Sequence, residues 1–154
     1  MSSLLLVCTA NICRSPMAEV VFTAQARALG LDLVASAGTH AHPRGQVMDP
    51  RAQAALAQRR YTPPKRWKSR RVTAEDFERF DRVLAMDEDN LAALRKICPP
   101  EAAHKLGMFL DLLPEMQGRP VPDPYFGSAL GFENVLTLIE RASRALFEAR
   151  QAAA

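Results

Sequence analysis

The chain alternates short apolar runs with longer segments in which apolar residues recur at helical spacing. The apolar runs predict four strands, over residues 4–7, 31–37, 83–86 and 105–110. The segments between and after them predict helices, over about residues 16–28, 49–60, 87–98 and 128–149. Strands that alternate with helices are typical of a parallel sheet with right-handed crossovers. We therefore expect residues 1–154 to form a single three-layer α/β domain, with a four-stranded parallel sheet and helices on both faces.

Side chains at the predicted helix ends match the preferences of helix caps. Ser15, which stands ahead of a proline, predicts the start of the first helix. Gly30 is typical of a helix end. Asp49 and Asp87 predict two further starts, and the segment 73–76 predicts a short helix. The first helix should therefore begin directly after the loop that follows the first strand.

That loop carries a cysteine and an arginine. Cys8 ends the strand and Arg14 precedes the helix, in the sequence Cys-Thr-Ala-Asn-Ile-Cys-Arg-Ser-Pro. Ligands bind at this edge of open α/β sheets, and N–H groups at a helix start bind anions. A planar guanidinium holds two phosphate oxygens, and a thiolate is a nucleophile toward phosphorus. The pair predicts a phosphate-binding loop that hydrolyses a phosphate monoester, with Cys8 as nucleophile and Arg14 as phosphate clamp.

Composition excludes several other classes of protein. The chain has a net charge of +3 and three cysteines, two of them on the same loop, so we expect a reduced cytoplasmic protein without a disulfide framework. No stretch is apolar and long enough to span a membrane, and the first apolar run is too short for a signal peptide. No Gly-Lys-Ser/Thr closes the loop, which excludes a Walker-type nucleotide site. We expect no metal, no cofactor and no membrane partner.

One basic run, residues 65–71, contains the only tryptophan of the chain, Trp67. Basic residues around an aromatic side chain are found in nucleic-acid-binding proteins. They are found more often in solvated loops, and we interpret this run as a loop that flanks the mouth of the site. We therefore expect no nucleic-acid partner.

The loop sequence resembles the signature of the low-molecular-weight protein tyrosine phosphatases, Cys-x-Gly-Asn-x-Cys-Arg-Ser-Pro. Further segments that resemble the family follow in order along nearly the whole chain: Ser36-Ala37-Gly38-Thr39, Asp76-Phe77 to Phe80-Asp81, Leu84-Ala85-Met86-Asp87, Val121-Pro122-Asp123-Pro124-Tyr125 and Gly131-Phe132-Glu133. The resemblance implies an enzyme that hydrolyses phosphotyrosine and small aryl phosphates through a phosphocysteine intermediate. Its substrate would be a phosphotyrosine-containing protein, for example a bacterial tyrosine kinase, and the enzyme would be a monomer or a weak dimer.

The reaction also needs a proton donor, because the leaving phenol oxygen develops negative charge. Asp123 is the candidate general acid, and its carboxylate would then activate water. Pro122 and Pro124 stiffen the loop that carries it. The alternative is an ordinary turn aspartate between prolines, and Asp87 is then the next candidate acid.

The resemblance assigns supporting roles around the phosphate. Asn11 would adopt a left-handed backbone conformation and bond to Ser36, and Ser15 would offer its hydroxyl to Cys8. The alternatives are a turn asparagine, a strand-end serine and a helix-capping serine. The full set of predicted phosphate-binding and supporting residues is Thr9, Ala10, Asn11, Ile12, Cys13, Ser15 and Ser36.

Two residues of the loop raise separate questions. Cys13 would form a reversible disulfide with an oxidised Cys8, as the resemblance implies, or is simply a small apolar loop residue. Ala10 stands where the family has glycine, so a positive φ or a close backbone approach at this position would strain the loop.

Three residues are candidates for the walls of the substrate pocket. Ile12 and Tyr125 are suited to contact a phenol ring, and His42 stands where the family often has an aromatic residue. Bacterial relatives that act on phosphoarginine carry threonine in place of Ile12, so the resemblance argues against that activity. Arsenate reduction on the same scaffold needs a further pair of cysteines, which Cys98 alone does not supply. A non-catalytic phosphate-binding module is the remaining alternative.

Overall fold

The computed structural model describes residues 1–154. Its centre is a four-stranded sheet with the order β2-β1-β3-β4, in which every neighbouring pair is parallel. The strands are β1 Ser3–Cys8, β2 Leu33–Gly38, β3 Arg82–Ala85 and β4 Leu106–Met108. In the central strand, Leu5 pairs with Ala35 on one side and with Val83 on the other. The carboxyl ends of β1, β2 and β3 therefore lie side by side.

Helices cover both faces of this sheet. They are α1 Arg14–Ala24, α2 Ala26–Leu29, α3 Pro50–Gln58, α4 Asp76–Arg79, α5 Glu88–Ile97 and α6 Ala129–Ala153. Leu4 and Leu6 of β1 pack with α1, α3 and α6, whereas Leu5 and Val7 pack with α4 and α5. Successive strand residues point to opposite faces, so one apolar run supplies both cores. The predicted fold class is confirmed, and none of the helices has the length and apolarity needed to cross a bilayer.

The first helix differs from its prediction at its start and in its interior. It begins at Arg14 and has no side-chain cap, so the prediction of Ser15 as the N-cap is wrong. The helix is also interrupted at Gln25, whose side chain accepts a hydrogen bond from Ser143 of α6. The predicted end at Gly30 is correct, because Gly30 has a left-handed conformation with φ of 68°.

Other boundaries shift by a few residues. The fourth strand ends at Met108, because residues 109–112 form a 3-10 turn in which Asp111 accepts hydrogen bonds from Met108 and Gly118. Helix α3 ends before Arg60, which has a positive φ of 67° and lets the N–H of the next residue bond back to Leu56. Asp49 and Asp87 cap α3 and α5 as predicted.

Candidate active site

The loop between β1 and α1 is held by backbone hydrogen bonds to the segment after β2. The carbonyl groups of Cys8 and Thr9 accept from the N–H groups of residues 39 and 40. Gly38 permits this close approach, since a Cβ at this position would lie 2.6 Å from the Thr9 carbonyl oxygen. Asn11 has a φ of 57°, which is the left-handed conformation predicted for it. The loop therefore reverses direction within a few residues and leads directly into α1.

A buried polar network lies beneath the loop. The Asn11 side-chain N–H groups donate to Ser15 Oγ at 2.8 Å and to Ser36 Oγ at 2.9 Å. Its Oδ1 accepts from the backbone N–H of Arg70 at 3.0 Å. Ser15 Oγ lies 2.9 Å from Cys8 Sγ and 3.4 Å from the Ala37 carbonyl oxygen. Because Ser15 Oγ accepts a hydrogen bond from Asn11, its own O–H is left to donate to Cys8 Sγ or to the Ala37 carbonyl oxygen.

Arg14 is fixed in place before any ligand arrives. Its side chain is only 2% exposed, and Nη1 donates to Asp87 Oδ2 at 2.7 Å and to the Val121 carbonyl oxygen at 3.0 Å. The other carboxylate oxygen of Asp87 accepts from the backbone N–H of Asn90, as a helix cap. Sequence reasoning identified the cap but missed that the same carboxylate orients Arg14. Nη2 of Arg14 is left facing Asp123, with its carboxylate oxygen 3.6 Å away.

Asn90 is a second residue that sequence reasoning missed. Its side chain is buried and donates to Thr9 Oγ1 at 3.0 Å, while its Oδ1 has no hydrogen-bond partner. The signal in the sequence was its position three residues after Asp87, because the side chain of a helix cap accepts a hydrogen bond from the backbone N–H three residues later. It connects the start of α5 to the phosphate loop.

The loop that carries Asp123 is anchored at both ends. The Val121 N–H donates to the Met86 carbonyl oxygen at 2.7 Å, at the end of β3. Nη1 of Arg51 donates to the Gly127 carbonyl oxygen at 3.3 Å, at the other end of the loop. Between these points the Asp123 side chain is 47% exposed and accepts from the backbone N–H of Tyr125. Both ends of the loop are therefore fixed, while the Asp123 side chain lies in the wall of the cavity described below.

Arg51 is the third residue missed from the sequence. Two carboxylate oxygens of Asp49 hold its guanidinium, which also lies 4.6 Å from the centre of the Phe132 ring and 5.5 Å from that of Tyr125. The hydrogen bond to Arg51 is the main cause of the lowered pKa of Asp49. This cluster joins α3 and α6 to the loop that carries Asp123.

A cavity of about 280 Å³ opens above the phosphate loop. It is lined by Cys8, Thr9, Ala10, Ile12, Cys13, Arg14, Gln46, Asp123, Tyr125 and Phe126. The structure thus brings together every predicted catalytic residue and two of the three predicted pocket residues. Asn11, Ser15 and Ser36 lie beneath the cavity rather than in its wall.

His42 is the pocket residue that the prediction places wrongly. Its ring is exposed, its Nδ1 accepts from the backbone N–H of Arg44, and it does not line the cavity. The loop after β2 turns back after His42, and it is Gln46 of the same loop that reaches the wall. Phe126, which is 93% exposed, is a further wall residue that sequence reasoning did not name.

The remaining loop residues have distinct environments. Burial, reinforced by the nearby Asp49 carboxylate, raises the pKa of the Cys13 thiol to about 12. Cys13 is therefore a neutral thiol near physiological pH. Ala10 does not have a positive φ, because the left-handed position of the loop falls on Asn11, so the strain expected from that cause is absent. No three His, Cys, Asp or Glu side chains are grouped so that they could hold a metal ion.

The chain is similar to known proteins along nearly its whole length. The model of the family described as low molecular weight phosphotyrosine protein phosphatase matches residues 3–153. A low molecular weight protein-tyrosine-phosphatase of Streptomyces coelicolor is 41% identical over 149 residues, which cover 93% of this chain and 90% of the relative.

Solved structures show the same architecture. A low molecular weight phosphotyrosine phosphatase from Vibrio cholerae is 38% identical with a TM-score of 0.86, over 98% of this chain and 97% of that one. The arginine phosphatase YwlE of Bacillus subtilis, solved with a phosphorylated active-site serine in place of cysteine, is 28% identical with a TM-score of 0.84, over 97% of this chain and 95% of that one. With its family model, its relatives and its fold in agreement, this chain belongs to the low molecular weight phosphotyrosine protein phosphatases.

Proposed function

We propose that this protein-tyrosine phosphatase hydrolyses phosphotyrosine in proteins, and small aryl phosphates, through a phosphocysteine intermediate on Cys8. The observation that carries the proposal is the meeting of Cys8, Arg14 and Asp123 in the wall of one cavity. A nucleophile, a bidentate cation and a proton donor are the three groups that this displacement requires.

The phosphate group binds first. Arg14 uses Nη1 to hold Asp87 and Val121, which leaves Nη2 and Nε to bond two phosphate oxygens in a planar fork. Backbone N–H groups of the loop 9–13 and of the first turn of α1 take the remaining oxygens. An incoming phosphate group replaces Asp123 as the partner of Arg14 Nη2, which frees the Asp123 carboxyl group to face the leaving oxygen.

In the first step, Cys8 Sγ attacks phosphorus, the S–P bond forms and the bond from phosphorus to the phenol oxygen breaks. The protonated Asp123 carboxyl group donates its proton to that oxygen, and tyrosine leaves. In the second step, the Asp123 carboxylate takes a proton from water as the water oxygen attacks phosphorus. The S–P bond breaks, phosphate leaves, and the hydroxyl of Ser15 stabilises the returning thiolate of Cys8 from 2.9 Å.

The cavity walls support an aryl substrate. Ile12, Tyr125 and Phe126 present apolar and aromatic surface to the side chain that carries the phosphate. The similarity to an arginine phosphatase shows that the fold alone does not select the substrate. The apolar side chain of Ile12 favours a phenol ring over the charged guanidine of phosphoarginine.

Two alternative activities have less support. Cys98, the candidate relay cysteine for arsenate reduction, lies with residues of α5 and β4 in a separate cavity from Cys8. A non-catalytic phosphate-binding module needs no general acid, so this alternative does not explain why Asp123 lies next to Arg14. The three cysteines are unpaired, which supports a reducing, cytoplasmic setting for the thiolate chemistry.

The test compares kcat/KM for matched peptides that carry phosphotyrosine or phosphoarginine, together with arsenate-dependent thiol oxidation. We expect turnover of the phosphotyrosine peptide and of p-nitrophenyl phosphate, with phosphoarginine at least tenfold slower. The phosphorylated form of a bacterial tyrosine kinase is the protein substrate to try first, and sedimentation should find a monomer or a weak dimer. A preference for phosphoarginine, or binding of phosphate without any turnover, would contradict the proposal.

A further inference from the structure

Exposed cations without carboxylate partners lie on one side of the cavity mouth. Arg44 belongs to the loop after β2, and Lys68 and Arg71 belong to the segment that runs along the outer side of the β2 end. None of the three has a carboxylate oxygen within 4.0 Å. We call these three side chains the basic rim, and Lys65 and Arg66 extend it along the same segment.

Two carboxylates near the basic rim, those of Asp76 and Glu19, are already engaged. Asp76 bonds both guanidinium nitrogens of Arg70, at 2.9 and 3.0 Å. Glu19 accepts from Ser36 Oγ at 2.6 Å and from Trp67 Nε1 at 3.3 Å. The positive charge of the rim is therefore available to a binding partner.

The rim is joined to the wall of the cavity. Gln46, a wall residue, donates its backbone N–H to Ser69 Oγ at 2.8 Å and accepts from the Ser69 N–H at 2.9 Å. Gly45 has a φ of 77°, and a Cβ there would lie 3.1 Å from the Ser69 carbonyl oxygen and 3.3 Å from Lys68 Cβ. Nη2 of Arg71 donates to the Ala41 carbonyl oxygen at 3.1 Å. These contacts attach the segment of the basic rim to the loop that carries Gln46, a residue of the cavity wall.

The opposite side of the mouth has the opposite charge. Helix α5 begins there, after β3, and carries Glu88 and Asp89 exposed in its first turn. In the strand order β2-β1-β3-β4, the phosphate loop after β1 lies between the basic side and the acidic side. When a peptide enters the cavity, the basic rim therefore attracts its acidic residues on one side, and Glu88 and Asp89 repel them on the other.

We propose that the basic rim binds acidic residues that flank the phosphotyrosine of a protein substrate. This inference rests on the proposed function, because it needs the phosphotyrosine to occupy the cavity. Exposed ion pairs are individually weak and mainly increase the rate of encounter. We therefore expect acidic flanking residues to raise kcat/KM by about fivefold, and substrates without them still to be hydrolysed.

The experiment uses phosphotyrosine peptides of equal length, two with Asp and Glu on only the amino-terminal or only the carboxyl-terminal side of the phosphotyrosine, and a neutral one with Asn and Gln. The better of the first two substrates is called the acidic peptide. The parent protein should prefer the acidic peptide by about fivefold at low salt, and the preference should decline as sodium chloride is added. In Arg44→Gln/Lys68→Gln, the preference should fall below about twofold, whereas kcat/KM for the neutral peptide and for p-nitrophenyl phosphate stays unchanged.

The control variant is Lys96→Gln/Arg144→Gln, which removes the same charge from exposed positions. Lys96 is in the last turn of α5, at the opposite end of that helix from the cavity, and Arg144 is beyond the midpoint of α6. This variant should keep the parent's preference. Equal loss in both variants would overturn the proposal, because it would assign the effect to net charge.

Equal kcat/KM for the acidic and the neutral peptide in the parent protein would overturn the proposal without any variant. Rim-dependent binding of a single-stranded RNA oligonucleotide in fluorescence anisotropy, with no preference for the acidic peptide, would overturn it in favour of a nucleic-acid surface. Hydrolysis of p-nitrophenyl phosphate in the same preparations separates these outcomes from failure of the proposed function, which would abolish that hydrolysis as well.

Discussion

At the scale of single residues, the site distinguishes two cysteines that lie five positions apart on one loop. Cys8 faces the cavity and has the hydroxyl of Ser15 at 2.9 Å. Cys13 lines the same cavity, but burial and the Asp49 carboxylate raise its pKa to about 12, which keeps it protonated over the whole physiological range. The loop therefore places the proposed nucleophile beside a second cysteine that stays a neutral thiol.

Alkylation should reveal this difference. With iodoacetamide at pH 7 to 8, we expect modification of Cys8, the proposed nucleophile. Cys13 should stay unmodified, because the thiolate is the reactive form and a pKa of about 12 keeps Cys13 a thiol. Peptide mapping by mass spectrometry identifies the modified cysteine, and added phosphate should protect Cys8. Equal labelling of Cys13 would show that the two thiols do not differ.

The proposed role of Asp123 as general acid can be tested by varying the basicity of the leaving phenol. Asp123→Asn keeps the shape of the side chain but has no proton to donate, so its penalty should grow with the basicity of the leaving phenol. We expect a loss of about a hundredfold for a phosphotyrosine peptide and a much smaller loss for an aryl phosphate with an acidic phenol. Single-turnover rates plotted against phenol pKa should give a steeper line for the variant. Parallel lines would exclude Asp123 as the acid.

At the scale of elements, local signals located most of the secondary structure and some of the site. Asp49 and Asp87 act as caps because that preference depends on neighbouring residues alone. Contacts distant in sequence decided the rest. Ser15 is not a cap because Cys8 and Asn11 engage its hydroxyl. Similarly, α1 breaks at Gln25, where a side chain of α6 bonds to it.

The junction between β2 and the phosphate loop depends on Gly38. In Gly38→Ala the new Cβ would lie 2.6 Å from the Thr9 carbonyl oxygen, so the loop must shift. We expect a loss of stability of about 1–3 kcal/mol and a fall of at least about tenfold in kcat/KM. Denaturant unfolding and p-nitrophenyl phosphate turnover measure the two effects. Gly107→Ala is the control, because its Cβ meets the flexible end of Arg82, and equal effects in both variants would contradict the prediction.

The start of β1 is attached to the segment before β3 by Asp81. Its carboxylate accepts from the backbone N–H groups of Ser2 and Ser3, and these bonds lower its pKa from 3.8 to about 2. A lowered folded pKa contributes stability above pH 3.8 that is lost as pH falls toward 2. Asp81→Asn should therefore lower Tm at pH 7, and the difference from the parent should shrink between pH 4 and pH 2. A difference that is independent of pH would contradict this, and Asp32→Asn, at an exposed carboxylate, is the control.

At the scale of the whole molecule, the sequence predicted the architecture because two signals recur along the chain. These are apolar residues at strand or helix spacing and capping residues at helix ends. It predicted Cys8, Arg14 and Asp123 because their chemistry and their resemblance to one family agree. It did not predict Arg51, Asn90 or the role of Asp87 toward Arg14, since each acts on a residue from a different element. Asp87 and Asn90 join the start of α5 to Arg14 and Thr9, and Arg51 joins α3 and α6 to the loop that carries Asp123.

Binding of phosphate should therefore stabilise the whole fold. A ligand that binds only the folded state adds about 2.7 kcal/mol at a hundred times its Kd, which raises Tm by roughly 5–10 °C in a domain of this size. We expect this shift in the parent and in Cys8→Ser, because Arg14 and the loop N–H groups bind the anion whether or not a thiolate is present. Arg14→Lys should show a much smaller shift, because lysine has no planar fork and cannot hold both Asp87 and the phosphate. Differential scanning fluorimetry against phosphate, with chloride at equal ionic strength as the control, makes the measurement. A full shift in Arg14→Lys would show that Arg14 does not bind the phosphate and would place the anion on the loop amides alone.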